Sequence, residues 1–416
     1  MGNFTMATEY IGESAEIILP LSKSESNRAL MLQAWSGGKI RARQLSEARD
    51  TAILQRLLFE NTSGLYDALD AGTSFRFMTA WLALSGRHAV LTGSPRMQER
   101  PVGKLVNALR ELGCSISFAQ NEGFPPLRFS GFSWSGKSIL EISAPESSQF
   151  ISALMLAAPG LPEGLEIRLQ EKTASFSYLE LTAGMMQRCG LLVEINRKNI
   201  IIPNQNWPEA EIIPGADWSS ASYFYGMLAC KPVGSSFHFQ GLQMNSLQGD
   251  RVMAALGRFW NIETSESING VWIRRMAEGV ASDLFSFDFS DCPDLALSLI
   301  CTCVASGVAG DFTGLSSLRM KESDRLQAIQ TELKKIRINL SVSKNGDHAS
   351  LKSNTLSWPS EPTVFETHND HRIAMALSII VAGRKEKAIF AAEEVVEKSF
   401  PGFWQEAQKI RAGNIL

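Results

Sequence analysis

The stretch LPLSKSESNRALMLQAW, residues 19–35, places several hydroxyls and two cations at the start of an apolar helix. A helix start of this kind suits an anion, because unpaired backbone N–H groups and the positive end of the helix dipole face the ligand. Lys23 and Arg28 would bring further positive charge to the same point. Later segments repeat this design, with cations or hydroxyls beside a helix start, at residues 96–101, 147–149, 321–325, 370–372 and 398–401.

A long repeat is visible in these helix starts, because each is followed by about ten apolar and small residues. From the second start onward the spacing is 72 to 76 residues. This period is much longer than that of a solenoid, so it predicts one supersecondary unit used several times. The six starts lie near Ser24, Thr73, Ser147, Ser219, Asp294 and Asp370.

The segments around these starts predict an α/β fold with helices inside and strands outside. The repeated helices carry small or apolar residues on nearly every side, which is typical of helices buried within a domain. Segments such as 164–169 and 191–195 predict strands, whereas 103–112 and 324–336 predict amphipathic helices. The first unit is short, so we expect the chain to begin in one domain, cross over and return, with crossovers near Leu19 and residues 214–215.

Composition points to a globular protein with a small-molecule ligand. The chain has 416 residues, 44% of them hydrophobic, and a formal net charge of −3, which disfavours a protein that coats nucleic acid. Six scattered cysteines and five histidines lack the spacing of a disulfide framework or metal site, so we expect free thiols and no metal. Residues 1–16 do not read as a signal peptide and no apolar run is long enough to span a bilayer, so we expect a cytoplasmic protein without a membrane partner.

The motifs taken together resemble the EPSP synthase family of enolpyruvyl transferases, in order, from residue 23 to 401. They are LSKSESNR, DAGTSFRF, RMQERP, SSQFISAL, ADWSSASYF, CPDLA, LRMKESDRL, NDHRIAMA and EKSFPGFW. The resemblance implies a two-domain inside-out α/β barrel, each domain made of three βαβαββ units, six repeats in total. The implied domains are residues 20–215 and the discontinuous pair 1–19 and 216–416, with the active site in the cleft between them.

The same resemblance implies the reaction and the ligands. The enolpyruvyl group of phosphoenolpyruvate would pass to the 5-hydroxyl of shikimate 3-phosphate through a tetrahedral intermediate, with release of phosphate. These two small molecules would be the partners of a monomer that needs no cofactor.

Roles for individual residues follow from the matching motifs. Asp294 would be the base on the attacking hydroxyl and Glu322 the acid and base on the methylene carbon, with Lys23 as a further catalytic cation. A carboxyl group donates a proton near neutral pH only if its pKa is raised, so we predict that Glu322 is buried when the domains close. The predicted shikimate 3-phosphate residues are Lys23, Ser24, Arg28, Ser147, Ser148, Gln149, Ser175, Tyr178, Asp294 and Lys321. The predicted phosphoenolpyruvate residues are Lys23, Gly72, Arg100, Gln149, Arg325, Arg372 and Lys398.

Two positions depart from the family's usual residues. Leu21 stands where the family usually has Gly, and Asp70 where it usually has Asn. A carboxylate at position 70 should weaken phosphoenolpyruvate binding unless a cation such as Arg76 neutralises it. Gly72 leaves room for glyphosate, so we expect this inhibitor to act on the protein.

Each motif also has a plain structural interpretation, and two other functions remain open. Residues 321–325 alone would be a capped, solvated helix start, and we interpret Ser219, Ser220 and His371 as mainly structural. A sister enolpyruvyl transferase acting on UDP-N-acetylglucosamine would carry a reactive cysteine before its Arg-Pro, whereas residues 91–99 contain none. A non-catalytic anion-sensing relative would have lost the acid/base pair, and Asp294 and Glu322 are both present.

Overall fold

The computed structural model describes residues 13–60, 63–143, 148–171, 173–353, 362–382 and 388–411. Within these residues the buried apolar side chains form two separate clusters, one in each of two lobes. The first cluster runs from Ala29 to Ile212, and the second contains Ile17 and Leu19 together with residues from Ala216 onward. We call the corresponding parts of the molecule lobe 1 and lobe 2.

The chain passes between the lobes at two adjacent crossovers. Leu21 and Ala216 form an isolated antiparallel bridge, and the Ser22 amide donates to the Gly215 carbonyl at 2.7 Å. The carboxylate of Glu25, which is buried, accepts from the Gly215 amide at 2.8 Å. The two crossovers thus lie side by side at residues 21–22 and 215–216.

The described strands form two four-stranded sheets and one two-stranded sheet in each lobe. Each four-stranded sheet begins with a parallel pair and continues with two antiparallel neighbours, whereas each two-stranded sheet has the parallel pair alone. The strands are β1 (Ser14–Ile18), β2 (Ile40–Ala42), β3 (Leu65–Asp67), β4 (His88–Thr92), β5 (Cys114–Phe118), β6 (Leu127–Phe132), β7 (Ile139–Ile142), β8 (Leu165–Leu169), β9 (Glu194–Ile195), β10 (Asn199–Ile202), β11 (Ala210–Ile212), β12 (Ser236–Gln240), β13 (Ile262–Ser267), β14 (Gly270–Arg275), β15 (Leu284–Asp288), β16 (Ala309–Thr313), β17 (Leu340–Val342), β18 (His348–Leu351), β19 (Thr363–Glu366) and β20 (Ala388–Ala391).

The strand orders show the shared pattern. In lobe 1 the sheets are β3-β4-β6-β5, β7-β8-β10-β9 and β11-β2. In lobe 2 they are β1-β12-β14-β13, β15-β16-β18-β17 and β19-β20. Strand β1 precedes the whole of lobe 1 in sequence, so the first crossover separates it from its partner β12.

The α-helices connect these strands and fill the lobes. They are α1 (Lys23–Trp35), α2 (Arg49–Phe59), α3 (Gly72–Leu84), α4 (Pro95–Gln98), α5 (Gly103–Glu111), α6 (Ser148–Ala157), α7 (Phe176–Arg188), α8 (Trp218–Leu228), α9 (Met253–Leu256), α10 (Ala296–Ser306), α11 (Arg325–Lys335), α12 (His371–Ala382) and α13 (Phe403–Arg411). None of the described helices is long and apolar enough to cross a membrane.

The six predicted helix starts are confirmed to within two residues, at α1, α3, α6, α8, α10 and α12. Small and apolar residues on all sides let these helices pack inside a lobe; α8, for example, is buried at every position. A 3₁₀ turn at Pro293–Leu295 precedes α10, so Asp294 lies just before the α-helix. The strand predicted at 191–195 is shorter than expected, since only Glu194–Ile195 pairs in a sheet.

The helix starts bring the polar residues to one place. In both lobes the N-terminal ends of buried helices face the other lobe, and their first residues line a common cavity. The fold therefore gathers side chains that are hundreds of residues apart in sequence into the cleft between the lobes.

Candidate active site

The cavity between the lobes is lined by all but two of the residues that the motifs predict. Ser147 lies outside the described residues, and Lys398 lies beside the cavity and is 3% exposed. The predicted residues that line the cavity are Lys23, Ser24, Arg28, Gly72, Arg100, Ser148, Gln149, Ser175, Tyr178, Asp294, Lys321, Glu322, Arg325 and Arg372.

Arg28 is fixed in lobe 1 by neutral oxygen acceptors. Its guanidinium donates to Thr182 Oγ1 at 2.7 Å, to the Ser24 carbonyl at 2.9 Å and to Ser152 Oγ and the Tyr178 carbonyl at 3.2 Å. Burial lowers its pKa to about 10, so it stays charged at neutral pH. These acceptors orient the cation without cancelling its charge, so it can still attract an anion.

Asp294 stands at the meeting point of the two lobes. Its carboxylate accepts from Tyr178 Oη of lobe 1 at 2.7 Å, from Arg325 Nη1 at 3.2 Å and from Arg372 Nη2 at 3.0 Å. Burial would raise the pKa of Asp294, but the cations of Arg372, Lys321 and Arg325 lower it far more. Asp294 is therefore a carboxylate and can accept a proton from a hydroxyl placed beside it.

Glu322 is the second carboxylate of the cleft and shares Arg325 with the first. Its Oε2 accepts from Arg325 Nη2 at 2.8 Å, and its side chain is 15% exposed. Burial would raise the pKa of Glu322, but Arg325, Lys398 and Arg100 lower it well below its usual range. Glu322 is thus mostly buried, and its pKa is lowered rather than raised, because three cations outweigh the loss of water.

A chain of charges links the lobes beside the cavity. Asp50 lies 3.1 Å from Lys23 Nζ and 3.3 Å from Lys398 Nζ. Lys398, from lobe 2, also donates to Asp70 Oδ2 at 2.8 Å and to the Asp70 carbonyl at 2.9 Å. An ammonium group has three N–H donors, and Asp70 accepts from two of them. Asp50 Oδ1 pairs with Lys398 by charge alone, since it accepts no hydrogen bond within the described residues.

Asp70 is neutralised, but not by Arg76 as the sequence suggests. Arg49 and Lys398 each lie 2.8 Å from its carboxylate. Burial would raise the pKa of Asp70, and these two cations lower it more. Arg76 instead turns back into lobe 1, where it donates to the Gly72 and Pro101 carbonyls at 3.2 Å.

Two cations in the cleft keep donors free for a ligand. Arg100 is 8% exposed, and its Nε has no hydrogen-bond partner within the described residues. A Cβ at Gly72 would lie 2.9 Å from Arg100 Cζ, so the glycine lets this guanidinium approach the start of α3. Lys321 makes no ion pair in the described part of the chain, and burial lowers its pKa. Nearby, Gln149 Nε2 donates to Thr73 Oγ1 at 3.1 Å.

The structural interpretations of the serine pair and the histidine also have a geometric basis. Ser219 donates to the buried carboxylate of Asp250, and the Ser220 amide donates to Oδ2 of Asp217, the N-cap of α8, at 2.8 Å. His371 is 1% exposed, and burial lowers its pKa well below the usual range. Neither of its ring nitrogens has a partner among the described residues, so it stays neutral.

Sequence reasoning missed several residues of the cleft. Asp50 joins two lysines, Asp370 accepts from Arg325 Nε at 2.8 Å, and Arg96 reaches across the cleft to the backbone of the other lobe. Asp370 could have been found as the acid of the Asp-His-Arg motif. Arg96 belongs to the RMQERP motif, but neither it nor Asp50 could be placed from the sequence, because their partners belong to distant segments of the chain.

Comparisons with known proteins agree with this geometry. The sequence profile of the EPSP synthase (3-phosphoshikimate 1-carboxyvinyltransferase) family matches residues 55–407. Relatives named 3-phosphoshikimate 1-carboxyvinyltransferase include one from Bacteroides fragilis, 37% identical over 96% of both chains. Another, from Methanoculleus marisnigri, is 31% identical over 93% of this chain and 94% of its own. An EPSP synthase structure from Acinetobacter baumannii matches with a TM-score of 0.73 and 20% identity over 96% of both chains, which supports the fold.

Proposed function

This chain belongs to the EPSP synthase (3-phosphoshikimate 1-carboxyvinyltransferase) family, and we propose that the cleft between its lobes is where it carries out the family's reaction. It transfers the enolpyruvyl group of phosphoenolpyruvate to the 5-hydroxyl of shikimate 3-phosphate and releases phosphate. The observation that carries the assignment of the site is the pair Asp294 and Glu322, both bound to Arg325 inside one cation-lined cleft.

We propose that shikimate 3-phosphate binds mainly to lobe 1. Arg28, Lys23 and the hydroxyls at the start of α6 and α7 supply donors for its phosphate and carboxylate, and Tyr178 forms a wall. Phosphoenolpyruvate would lie between Arg100 of lobe 1 and the lobe 2 arginines, Arg325 and Arg372. Two parallel N–H bonds from an arginine suit both a carboxylate and a phosphate.

The addition step needs a base and an acid at two different atoms. Asp294 takes the proton of the 5-hydroxyl while the hydroxyl oxygen forms a bond to C2 of phosphoenolpyruvate. Glu322 delivers a proton to C3, which becomes a methyl group in the tetrahedral adduct. Elimination then breaks the C2–O bond to phosphate, which leaves with the proton held by Asp294, and Glu322 removes a proton from C3 to restore the double bond.

The lowered pKa of Glu322 would have to rise for this role, and the bound substrates would raise it. Burial raises this pKa, and the cations of Arg325, Lys398 and Arg100 lower it. The negative charges of phosphoenolpyruvate would offset those cations while the lobes keep water out. We therefore propose that substrate binding itself raises the pKa of Glu322 and makes it an acid.

We further propose that the two lobes are the domains implied by the resemblance, residues 20–215 and residues 1–19 plus 216–416. Each would be an inside-out barrel of three βαβαββ units. The matching strand orders of the four larger sheets and the two separate apolar cores support this proposal. The monomeric state and the cytoplasmic location stay predictions.

Phosphate release tests the proposal directly. The protein should release phosphate from phosphoenolpyruvate with shikimate 3-phosphate and not with UDP-N-acetylglucosamine in a parallel tube. Asp294→Ala and Glu322→Ala should each abolish the release. Release with the nucleotide sugar alone would assign the sister reaction, and full activity of both variants would remove the acid/base pair from the mechanism.

A further inference from the structure

Arg96 links the short helix α4 of lobe 1 to the backbone that carries Glu322 in lobe 2. Its Nε donates to the Glu322 carbonyl at 3.2 Å and its Nη2 to the Lys321 carbonyl at 3.3 Å. The remaining nitrogen, Nη1, pairs with Glu99 of the same lobe at 2.9 Å. One planar guanidinium thus holds two consecutive carbonyls across the cleft.

The segment that Arg96 holds has little other support. Residues 321–324 lie between the 3₁₀ turn Ser316–Met320 and α11, outside any regular element. In the described part of the chain, no backbone N–H donates to the carbonyl of Lys321 or of Glu322. Beyond them, the Ser323 hydroxyl donates to Asp370 Oδ2 at 3.1 Å and Asp324 caps α11. Without Arg96 the carbonyls of Lys321 and Glu322 would therefore lose their own hydrogen bonds, and the backbone at Glu322 would be held only through its neighbours.

The side chain of Glu322 is held from the other direction. Arg325 of lobe 2 binds its carboxylate at 2.8 Å, and Arg325 is itself fixed by Asp370 and Asp294. Lobe 2 therefore fixes the carboxylate, whereas lobe 1 fixes the backbone that carries it. Both constraints act together only when the lobes are closed.

We infer that Arg96 is a positioning residue, which sets the backbone of Glu322 on closure and so couples lobe closure to proton transfer. This inference rests on the proposed role of Glu322 as the acid and base on C3. Arg96 itself touches no reacting atom, since both of its cross-lobe contacts are to main-chain oxygens. Its effect should therefore appear in kcat and act through Glu322.

The first experiment compares Arg96→Gln and Arg96→Lys with a control. The side chain of Arg96 is 44% exposed, so its replacement should leave the folded state intact. Arg43→Gln is a matched control, because Arg43 is 52% exposed and pairs with Glu211 within lobe 1. We expect Arg96→Gln to lower kcat about tenfold, with each KM changed less than about threefold, since two hydrogen bonds are lost at a partly exposed site. Arg96→Lys should retain part of the rate, because an ammonium cannot hold both carbonyls in the same plane.

Two further readouts separate positioning from a general effect on folding or closure. Guanidinium chloride at millimolar concentration should restore part of the kcat of Arg96→Gln, whereas sodium chloride at the same concentration should not. The kcat of Arg43→Gln should stay the same in both salts. Arg96→Gln should also lower kcat much less when it is introduced into the Glu322→Asp variant than when it is introduced into the wild type. Both changes disturb the same group, so their effects on kcat should not add.

The outcomes are distinct. A kcat for Arg96→Gln equal to that of Arg43→Gln overturns the inference, and so does a full tenfold loss in the Glu322→Asp background. If Glu322→Ala itself keeps full activity, the proposed function of Glu322 fails, whatever Arg96 does. If Glu322→Ala is inactive and Arg96→Gln is not impaired, only the positioning role fails.

Discussion

The replacement of Asp70 by Asn tests how charge in the cleft sets the affinity for phosphoenolpyruvate. Asp70 is bound to Lys398, one of the cations predicted to hold this substrate. Asn keeps an acceptor oxygen for the Lys398 N–H at 2.8 Å and removes only the negative charge. We expect the KM for phosphoenolpyruvate to fall, and the KM for shikimate 3-phosphate to change little.

The size of the effect follows from the distances. A phosphate oxygen on the far side of Lys398 would lie about 5 to 6 Å from the Asp70 carboxylate, that is, two hydrogen-bond lengths away. At this separation the repulsion between two unit negative charges, one on Asp70 and one on the phosphate, is about 3 kcal/mol at an effective dielectric constant of about 20. In bulk water it is about 0.7 kcal/mol. Asp70 is 31% exposed and also paired with Arg49, so the smaller values apply. An effect of about 1 kcal/mol corresponds to about a fivefold lower KM.

The assay is steady-state phosphate release with shikimate 3-phosphate saturating and phosphoenolpyruvate varied. Salt should reduce the difference between the two proteins, because the Asp70 side chain is partly exposed. Arg49→Gln is the matched opposite variant, since it leaves the Asp70 charge with one counter-ion fewer. It should raise the KM for phosphoenolpyruvate.

A KM for phosphoenolpyruvate that stays the same or rises in Asp70→Asn would refute this reasoning. A rise would mean that the Asp70 charge favours binding, for example by drawing Lys398 towards lobe 1 during closure. Equal changes in the KM values of both substrates would point to a general effect on closure.

Three other predictions follow from the same contacts. Gly72→Ala should raise both the KM for phosphoenolpyruvate and the inhibition constant for glyphosate, because a Cβ 2.9 Å from Arg100 Cζ displaces that guanidinium. Steady-state inhibition assays measure both constants, and unchanged values would contradict the prediction. Asp294→Asn should slow turnover by about 100-fold or more, because an amide cannot take the hydroxyl proton. Single-turnover phosphate release measures this rate, and a near-normal rate would contradict the prediction. The folded-state pKa values of Asp294 and Glu322 are lowered, so their stabilisation is present above about pH 4 to 4.5 and is lost as pH falls further. Thermal unfolding of wild type and Asp294→Asn should therefore differ most near pH 7 and converge towards pH 3, and a difference that grew in acid would contradict this.

The helices and the cleft were predictable because their signals are local. A hydroxyl or acidic cap followed by small, apolar residues specifies a buried helix, and α1, α8 and α12 begin within two residues of the predicted starts. The site residues lie at those starts, so the motifs that predict the helices also predict the lining of the cavity.

The electrostatic predictions were less successful because they depend on contacts between distant segments. For Asp70 the nearest candidate cation in sequence, Arg76, lies on α3 and bonds back to Gly72 on the same helix. The true partners come from α2 and from Lys398 of lobe 2. For Glu322 the main cation that lowers the pKa is Arg325, which the sequence shows three residues away, whereas Lys398 and Arg100 add to the lowering from distant segments.

The ion pairs in the cleft affect both substrate affinity and the protonation of Glu322. Two of the cleft's cations pair with the protein's own carboxylates. Arg325 pairs with Asp294, Glu322 and Asp370, and Lys398 pairs with Asp50 and Asp70. A polyanionic substrate must share or displace these carboxylates, so part of its binding energy is spent on counter-ion exchange. The exchange also weakens the hold of the cations on Glu322, whose burial then favours the protonated form. The carboxylates that limit substrate affinity would thus belong to the same ion pairs as the cations that keep Glu322 ionised until the substrate binds.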